Sequence, residues 1–296
     1  METPLFSVFT PTYNRAHLLA GVYDSLCGQS CQDFEWIVVD DGSADATEEL
    51  VHRWIDEEKI TIVYEKQPNG GKHRAFNRGV QIARGKLFVC LDSDDSYEPD
   101  ALAQIALRWR EVEDDPQIAG FSCLAADRQG NIIGTRLPAD RFVSSHYDLY
   151  HRYGVKGDKG VIYYTDVLRK YPFPEFESER FVTEAVVLNR ISRQYKLYCI
   201  DRVLCRVLYQ NDGLSSVYAS LCRRSPNGYA LYLNELNYFR QSLSCYAVNA
   251  ARYVKFGLLA RKSPKMIWRE AINRRWVFVG SFLLGVLLYL RDRNKR

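Results

Sequence analysis

The sequence predicts an α/β protein, a doubly wound and mainly parallel sheet with helices on both faces, followed by a helical, basic C-terminal extension. Three observations carry this expectation. Short apolar runs alternate with stretches of helical periodicity through the first hundred residues, the rhythm of parallel strands joined by crossover helices. Each run stops in a loop rich in Asp, Asn, Gly or Pro, as strand ends do. Charge also divides along the chain: from Val217 onward fifteen Lys and Arg face three Asp and Glu, a local +12 within a total of +4, which leaves −8 for the rest.

Taken in order, Phe6 to Thr10 is a short strand stopped by Pro11-Thr-Tyr-Asn-Arg15, after which Ala16, Leu18, Leu19, Val22, Tyr23 and Leu26 recur at helical spacing. Phe34 to Val39 repeats the strand and ends in Asp40-Asp41-Gly42-Ser43; the stretch from Asp45 is an amphipathic helix with acids in its first turn. Ile60 to Glu65 is a third strand, Lys72 to Ala83 the next helix and Leu87 to Leu91 a fourth strand. Ala119 to Asp127 and Asn131 to Arg136 read as strands around an Asp-Arg-Gln-Gly turn, and Gly157-Asp158-Lys159-Gly160 leads into a strand at Val161 to Tyr164. The stretch from Pro172 opens a helix through Val186, Val187, Leu188 and Ile191, with Glu184 in its first turn. Tyr209 to Ser215 reads as a flexible closing segment or a plain Asp-Gly turn, and Tyr218 to Phe239 and Cys245 to Leu259 read as helices.

Composition narrows the class. A chain of 296 residues, 47% hydrophobic, holds one large α/β domain and an appendage, so disorder is not the default. Its eight Cys form no CxxC pair and its five His are scattered, which leaves no zinc framework or thiol redox motif in view. With no secretory signal ahead of them, the Cys are expected to be reduced packing residues on the cytosolic side.

The chemistry concentrates where Leu87-Phe-Val-Cys-Leu91 runs into Asp92-Ser93-Asp94-Asp95. Acids at the C-terminal end of a parallel strand line the crevice where open α/β sheets bind ligands. Hard oxygen ligands suit Mg²⁺ or Mn²⁺ beside a diphosphate, because carboxylates this close repel one another without a cation. The same four residues also fit a solvated acidic turn before a helix, with Asp95 as its cap and Pro99 at its opening.

Four motifs in order, Thr10-Pro11-Thr12-Tyr13-Asn14, Asp40-Asp41-Gly42-Ser43, the segment from Asn69-Gly-Gly to Asn77-Arg78-Gly79, and Asp92-Ser93-Asp94-Asp95, make the chain resemble the family 2 inverting glycosyltransferases of GT-A fold over roughly residues 5–215. The resemblance implies that Pro11, Tyr13 and Asp41 hold the uracil of a UDP-sugar, with Tyr13 offering an aromatic face and Asp41 an acceptor. It implies that Lys72 meets the diphosphate, that Asp92, Ser93 and Asp94 form the DxD motif, and that Asp94 binds the metal directly while Asp92 reaches ribose or metal-bound water. Arg78 is either a second cation for the diphosphate or a solvated helix face.

Inverting transfer needs a general base, because the attacking hydroxyl sheds its proton as it meets the anomeric carbon. Glu184 is the candidate, with Glu177, Glu179 and Asp158 as fallbacks. Many relatives read Glu-Asp here and use the Asp, whereas this chain has Ala185.

At the C-terminus, fifteen uncharged residues from Trp276 to Leu290 lie between Arg274-Arg275 and Arg291. They fall short of the roughly 18–20 that a spanning helix needs. The expectation is a peripheral or monotopic protein on the cytoplasmic membrane face, with a short span flanked by snorkelling arginines or a buried core helix as the alternatives, and with no nucleic-acid partner despite the basic tail. The chain thus divides into a glycosyltransferase domain (1–215), a helical extension (216–265) and a membrane-associating segment (266–296). The expected activity is transfer of a hexosyl or N-acetylhexosaminyl group from a nucleotide-sugar to a saccharide or lipid-linked acceptor in surface polysaccharide or glycolipid assembly. A noncatalytic nucleotide-sugar-binding membrane module is the alternative.

Overall fold

The structure, a computed structural model, describes residues 3–208, 214–272 and 275–293. It separates into two compact units, the first running to Pro172 and resuming at Val187, the second made of 173–186 and the C-terminal helices.

The first unit opens with the expected alternation: β1 (Phe6–Thr12), α1 (Ala16–Cys27), β2 (Phe34–Asp40), α2 (Thr47–Asp56), β3 (Ile62–Lys66), α3 (Lys72–Ile82) and β4 (Leu87–Cys90). It continues with β5 (Ser96–Tyr97), α4 (Ala101–Trp109), β6 (Ile118–Ala126), β7 (Val143–Ser144), α5 (His146–His151), β8 (Lys159–Tyr164), α6 (Thr165–Lys170), α7 (Ala185–Ser192, whose first two residues group with the second unit) and β9 (Lys196–Arg206). The sheet order is β3-β2-β1-β4-β8-β6-β9-β5, with β7 on β9. β1, β2, β3, β4, β6 and β9 share one direction while β5, β7 and β8 run against them, so the sheet is mainly parallel.

The chain moves outward from β1 to β2 and β3, then returns to place β4 on the other side of β1. This reversal is a topological switch point, and it leaves a crevice at the C-terminal ends of β1 and β4. Both faces of these strands are covered, which is why they read as continuous apolar runs. Phe6, Val8, Trp36 and Val38 join Leu19, Leu26 and Trp54 in one core, where Tyr23 stacks on Trp54 at 4.4 Å. On β1, Phe9 alternates with Val8 and meets Phe76 of α3 at 5.5 Å and Phe88 of β4 at 5.3 Å. Gly79 permits that approach, since a Cβ there would fall 2.4 Å from the Phe9 ring.

Two sequence expectations fail here. The strand expected at Asn131–Arg136 is only a single bridge, Ala126 to Ile132. Gly134, at φ +72, turns the chain against the Lys156 carbonyl, and Thr135 bonds Lys156 instead of a sheet neighbour. Asp95 does not cap the next helix, because β5 intervenes and α4 begins only at Ala101; its carboxylate instead accepts the Leu208 N–H at 3.1 Å.

The second unit contains α8 (Leu214–Arg224), α9 (Pro226–Glu235), α10 (Leu243–Leu259), α11 (Pro264–Glu270) and α12 (Val277–Arg293). The helix read from Tyr218 to Phe239 is broken at Pro226, which has no N–H for the helix interior and opens α9 instead. Ser242 and Ser263 cap α10 and α11 by accepting N–H bonds from Cys245 and Met266, each at 3.2 Å. Tyr229 of α9 packs edge-on against Phe256 of α10 at 4.6 Å, and Gly285 lets α12 close on Ala251 and Val254. The segments 216–265 and 266–296 thus share one unit. In the segment Tyr209 to Ser215, residues 209–213 lie outside the described residues, as do 273–274 and 294–296.

Candidate active site

Pro11, Tyr13, Asp41, Asp92, Ser93 and Asp94 lie in the first unit at or just beyond the C-terminal ends of β1, β2 and β4, Lys72 opens α3, and a chain of hydrogen bonds joins their loops. Pro11 is the penultimate residue of β1 and Tyr13 follows the strand directly, 49% exposed. Asn14 then takes a left-handed conformation, φ +53, which an Asn tolerates. There its N–H donates to Ser43 Oγ (2.8 Å), and its Oδ1 accepts from the Ala44 N–H (2.8 Å). The loop after β1 is thereby tied to the loop after β2.

Asp40 and Asp41 face different tasks. Asp40, fully buried, accepts from the Ser43 N–H (2.7 Å) and the Tyr64 hydroxyl (2.7 Å), and burial with this carboxylate raises the Tyr64 pKa. Asp41, 5% exposed, accepts from Gln67 Nε2 (2.7 Å) and from the N–H groups of Gly70 (2.9 Å) and Gly71 (2.7 Å), while its own N–H bonds the Thr12 carbonyl. An ionised carboxylate has about four acceptor positions, so roughly one remains for a ligand. Gly71 sits at φ +93, a conformation that suits glycine, and starts α3. Gly42, at φ +85, lies so close to Asn69 that a Cβ would fall 2.9 Å from its backbone N.

This arrangement delivers Lys72, the first residue of α3, to Asp92 just beyond β4; the ammonium lies 2.7 Å from one carboxylate oxygen and 2.8 Å from the other. Ser93, Asp94 and Asp95 follow in a turn closed by the Asp95 N–H on the Asp92 carbonyl. Burial, then the charge of Asp92, raises the Asp94 pKa, with Arg15 and Lys72 opposing. The same causes push Asp95 up to about 8. Two acids held in proximity at such cost form a donor set that a hard cation would relieve. Among the described residues no group of three or more His, Cys, Asp or Glu could hold a metal, so phosphate oxygens would have to complete the shell, as Mg²⁺ sites often require.

The remaining expectations sort differently. Arg78 reaches Glu65 on β3 (2.7 and 3.0 Å), which ties α3 to the sheet. The Asp158 carbonyl accepts from Lys159 Nζ. Glu184 lies in the second unit, exposed and directly ahead of α7. Glu177 is exposed there too. Glu179 is buried and committed: its oxygens accept the N–H of Asn227 (2.6 Å), Nδ2 of Asn227 (2.9 Å) and the N–H of Gly228 (2.8 Å) at the start of α9. That removes Glu179 as a free base, because a carboxylate spent on a helix N-terminus is a structural anchor. Sequence reasoning passed over Arg15, whose charge acts on Asp94, and Gln67, which bonds Asp41. The place of Arg15 directly after the β1 turn was the available signal.

Comparison with known proteins agrees with this geometry. Residues 7–153 match the family described as Glycosyl transferase family 2. A glycosyltransferase named for PGL/p-HBAD biosynthesis in Mycobacterium bovis (strain BCG / Pasteur 1173P2) is 36% identical over 121 residues, 40% of this chain and 47% of that protein. A Bacillus subtilis (strain 168) relative named for teichuronic acid biosynthesis, TuaG, is 28% identical over 219 residues, 72% of this chain and 82% of its own. The matched part thus spans about half the length of the mycobacterial relative. Among solved structures, S. aureus TarS 1-349 in complex with UDP-GlcNAc has a TM-score of 0.61 at 17% identity, covering 98% of this chain and 92% of that one. Mannosyltransferase PcManGT from Pyrobaculum calidifontis, in complex with GDP-Man and Mn²⁺, gives 0.55 at 17% identity, covering 99% and 88%. At such identities these structures speak for the fold. With the motifs at the β1/β4 switch point and the family match over them, the chain belongs to the family 2 glycosyltransferases of GT-A fold.

Proposed function

We propose that this chain transfers a hexosyl or N-acetylhexosaminyl group from a UDP-sugar, with inversion, to a saccharide or lipid-linked acceptor in surface polysaccharide or glycolipid assembly. The observation that supports it most is the hydrogen-bonded continuity from Asn14 and Ser43 through Asp41 and Gly71 to Lys72 and Asp92 at the switch point. Pro11 and Tyr13 would cradle the base and Asp41 would offer its remaining acceptor position to a uracil N–H. Asp94 would hold Mn²⁺ or Mg²⁺, with Asp92 reaching ribose or metal-bound water beside Ser93. Bound there, the cation would supply charge to the diphosphate. TarS crystallised with UDP-GlcNAc and PcManGT with GDP-Man and Mn²⁺ support a nucleotide-sugar and a divalent ion for this fold.

In the reaction the acceptor hydroxyl gives its proton to a carboxylate as its oxygen bonds the anomeric carbon. The bond from that carbon to the diphosphate breaks, and the diphosphate leaves with the electron pair, its charge met by Lys72. The base is assigned to Glu184 on sequence grounds. Ala185, at the position where the family resemblance implies the base, favours a second reading, a module that binds nucleotide-sugar without transfer. Incubating the purified full chain with UDP-, GDP- and dTDP-sugars, Mn²⁺ or Mg²⁺ and candidate acceptors, and reading released nucleotide, separates the two. Release from a UDP-sugar that depends on metal and acceptor is the expected result. Tight UDP binding with no release from any donor would instead leave the binding module.

A further inference from the structure

α12 has two chemically distinct faces. Phe278, Ser281 and Gly285 are buried, and a methyl at Gly285 would fall 2.5 Å from the Ala251 carbonyl oxygen of α10. Asp292, on the same side, pairs with Lys255 of α10 at 2.5 Å. At about 100° per residue, Trp276, Val279, Leu283, Leu287 and Leu290 project within an arc of about 80° on the opposite side. They are 79, 55, 65, 62 and 44% exposed. α11 extends this surface with exposed Met266 and Trp268, the latter packed against Phe278 and Phe282 at 5.2 and 5.9 Å.

The sequence that carries this stripe is strongly basic. From Arg261 onward the sequence has ten Lys and Arg against only Glu270 and Asp292, a net +8. Both acids are already paired, Glu270 with Lys262 at 2.7 Å and Asp292 with Lys255. Lys265, Arg269, Arg275 and Arg291 are exposed. No helix among the described residues is long and apolar enough to cross a membrane.

We propose that α11 and α12 form a docking face for an anionic lipid bilayer, with α12 lying flat at the headgroup boundary and its apolar stripe turned toward the acyl chains. α12 cannot enter end-on without pulling its buried side away from α10, so insertion is shallow and lateral. A second copy of this chain is a poor occupant, because a self-complementary contact would set the exposed Lys265, Arg269, Arg275 and Arg291 against their own copies, whereas lipid phosphates complement them. Trp276 and Trp268 suit the headgroup level, where indole rings concentrate.

The test sediments the purified full chain with vesicles of phosphatidylcholine alone and of equal parts phosphatidylcholine and phosphatidylglycerol. Binding to the anionic vesicles is expected, weakened by salt and by omission of phosphatidylglycerol. The paired change Leu283→Glu and Leu287→Glu should lower partitioning about tenfold or more, with circular dichroism and melting temperature unchanged because both residues are exposed. Arg291→Glu should weaken it less. Equal sedimentation of the Leu pair variant and the unaltered chain overturns the proposal, as does failure of the unaltered chain to bind anionic vesicles. A dimer in solution that the same pair converts to monomer would assign the face to self-association and equally overturn it.

Discussion

The carboxylate of Asp41 accepts the backbone N–H of Gly71 at 2.7 Å, so the residue proposed to read a nucleobase also fixes the turn that starts α3 and presents Lys72. Asp41→Asn would set an amide donor against the N–H of Gly70 or Gly71. A buried donor left without an acceptor costs about 1–3 kcal/mol. The variant should therefore melt at lower temperature as well as bind UDP more weakly, as thermal unfolding and calorimetry would report. A weaker affinity at an unchanged melting temperature would show that the turn holds without this carboxylate.

Asp94 responds in the opposite sense. Its pKa is raised by burial and then by Asp92, so the folded state holds the proton more tightly than the unfolded chain does, and above the ordinary carboxylate range its ionised form costs stability. Asp94→Asn should keep or slightly raise the melting temperature at neutral pH while abolishing the Mn²⁺-dependent part of UDP binding. Unchanged UDP affinity with Mn²⁺ present would sink the metal assignment.

Glu184 and Glu179 lie five positions apart and should fail in different ways. Glu184→Gln leaves an exposed side chain of the same shape, so stability and UDP affinity should hold while turnover falls roughly 10²-fold or more, the scale of lost general-base help. Glu179→Gln turns an amide toward the N–H groups of Asn227 and Gly228, which should lower the melting temperature by an amount equivalent to about 1–3 kcal/mol. Near-normal turnover in the Glu184 variant would pass the role of base to another carboxylate.

His146 sets an acid limit. Its Nδ1 is buried without a hydrogen-bond partner, and burial, then the charge of His151, lowers its pKa to about 4. Between its ordinary value near 6.5 and about 4, the unfolded chain takes up a proton that the folded protein refuses, so stability falls as pH drops through that window. Melting temperatures measured across that range should decline, and less steeply in His146→Gln. An identical slope in the variant would place the acid sensitivity elsewhere.

The strand and helix rhythm from Phe6 to Cys90, and the loops that carry Pro11, Tyr13, Asp41, Lys72, Asp92, Ser93 and Asp94, were legible in the order of residues. Those signals are local: apolar periodicity sets an element, and Gly, Asp or Pro ends it. What those side chains touch is set only once the chain has folded. Asp41 is bonded to groups 26–30 positions away, Lys72 to an acid 20 positions on, and Glu179 to the start of a helix 48 positions on. Reversal of β8 between β4 and β6, and the grouping of 173–186 with the C-terminal helices, are equally remote from any short pattern. The apolar run Trp276–Leu290 has no marked polar side in sequence, and its packing on α10 and α11 determines which of its residues remain exposed. Such pairings depend on which surfaces the folded chain brings together, and no run of neighbouring residues encodes that.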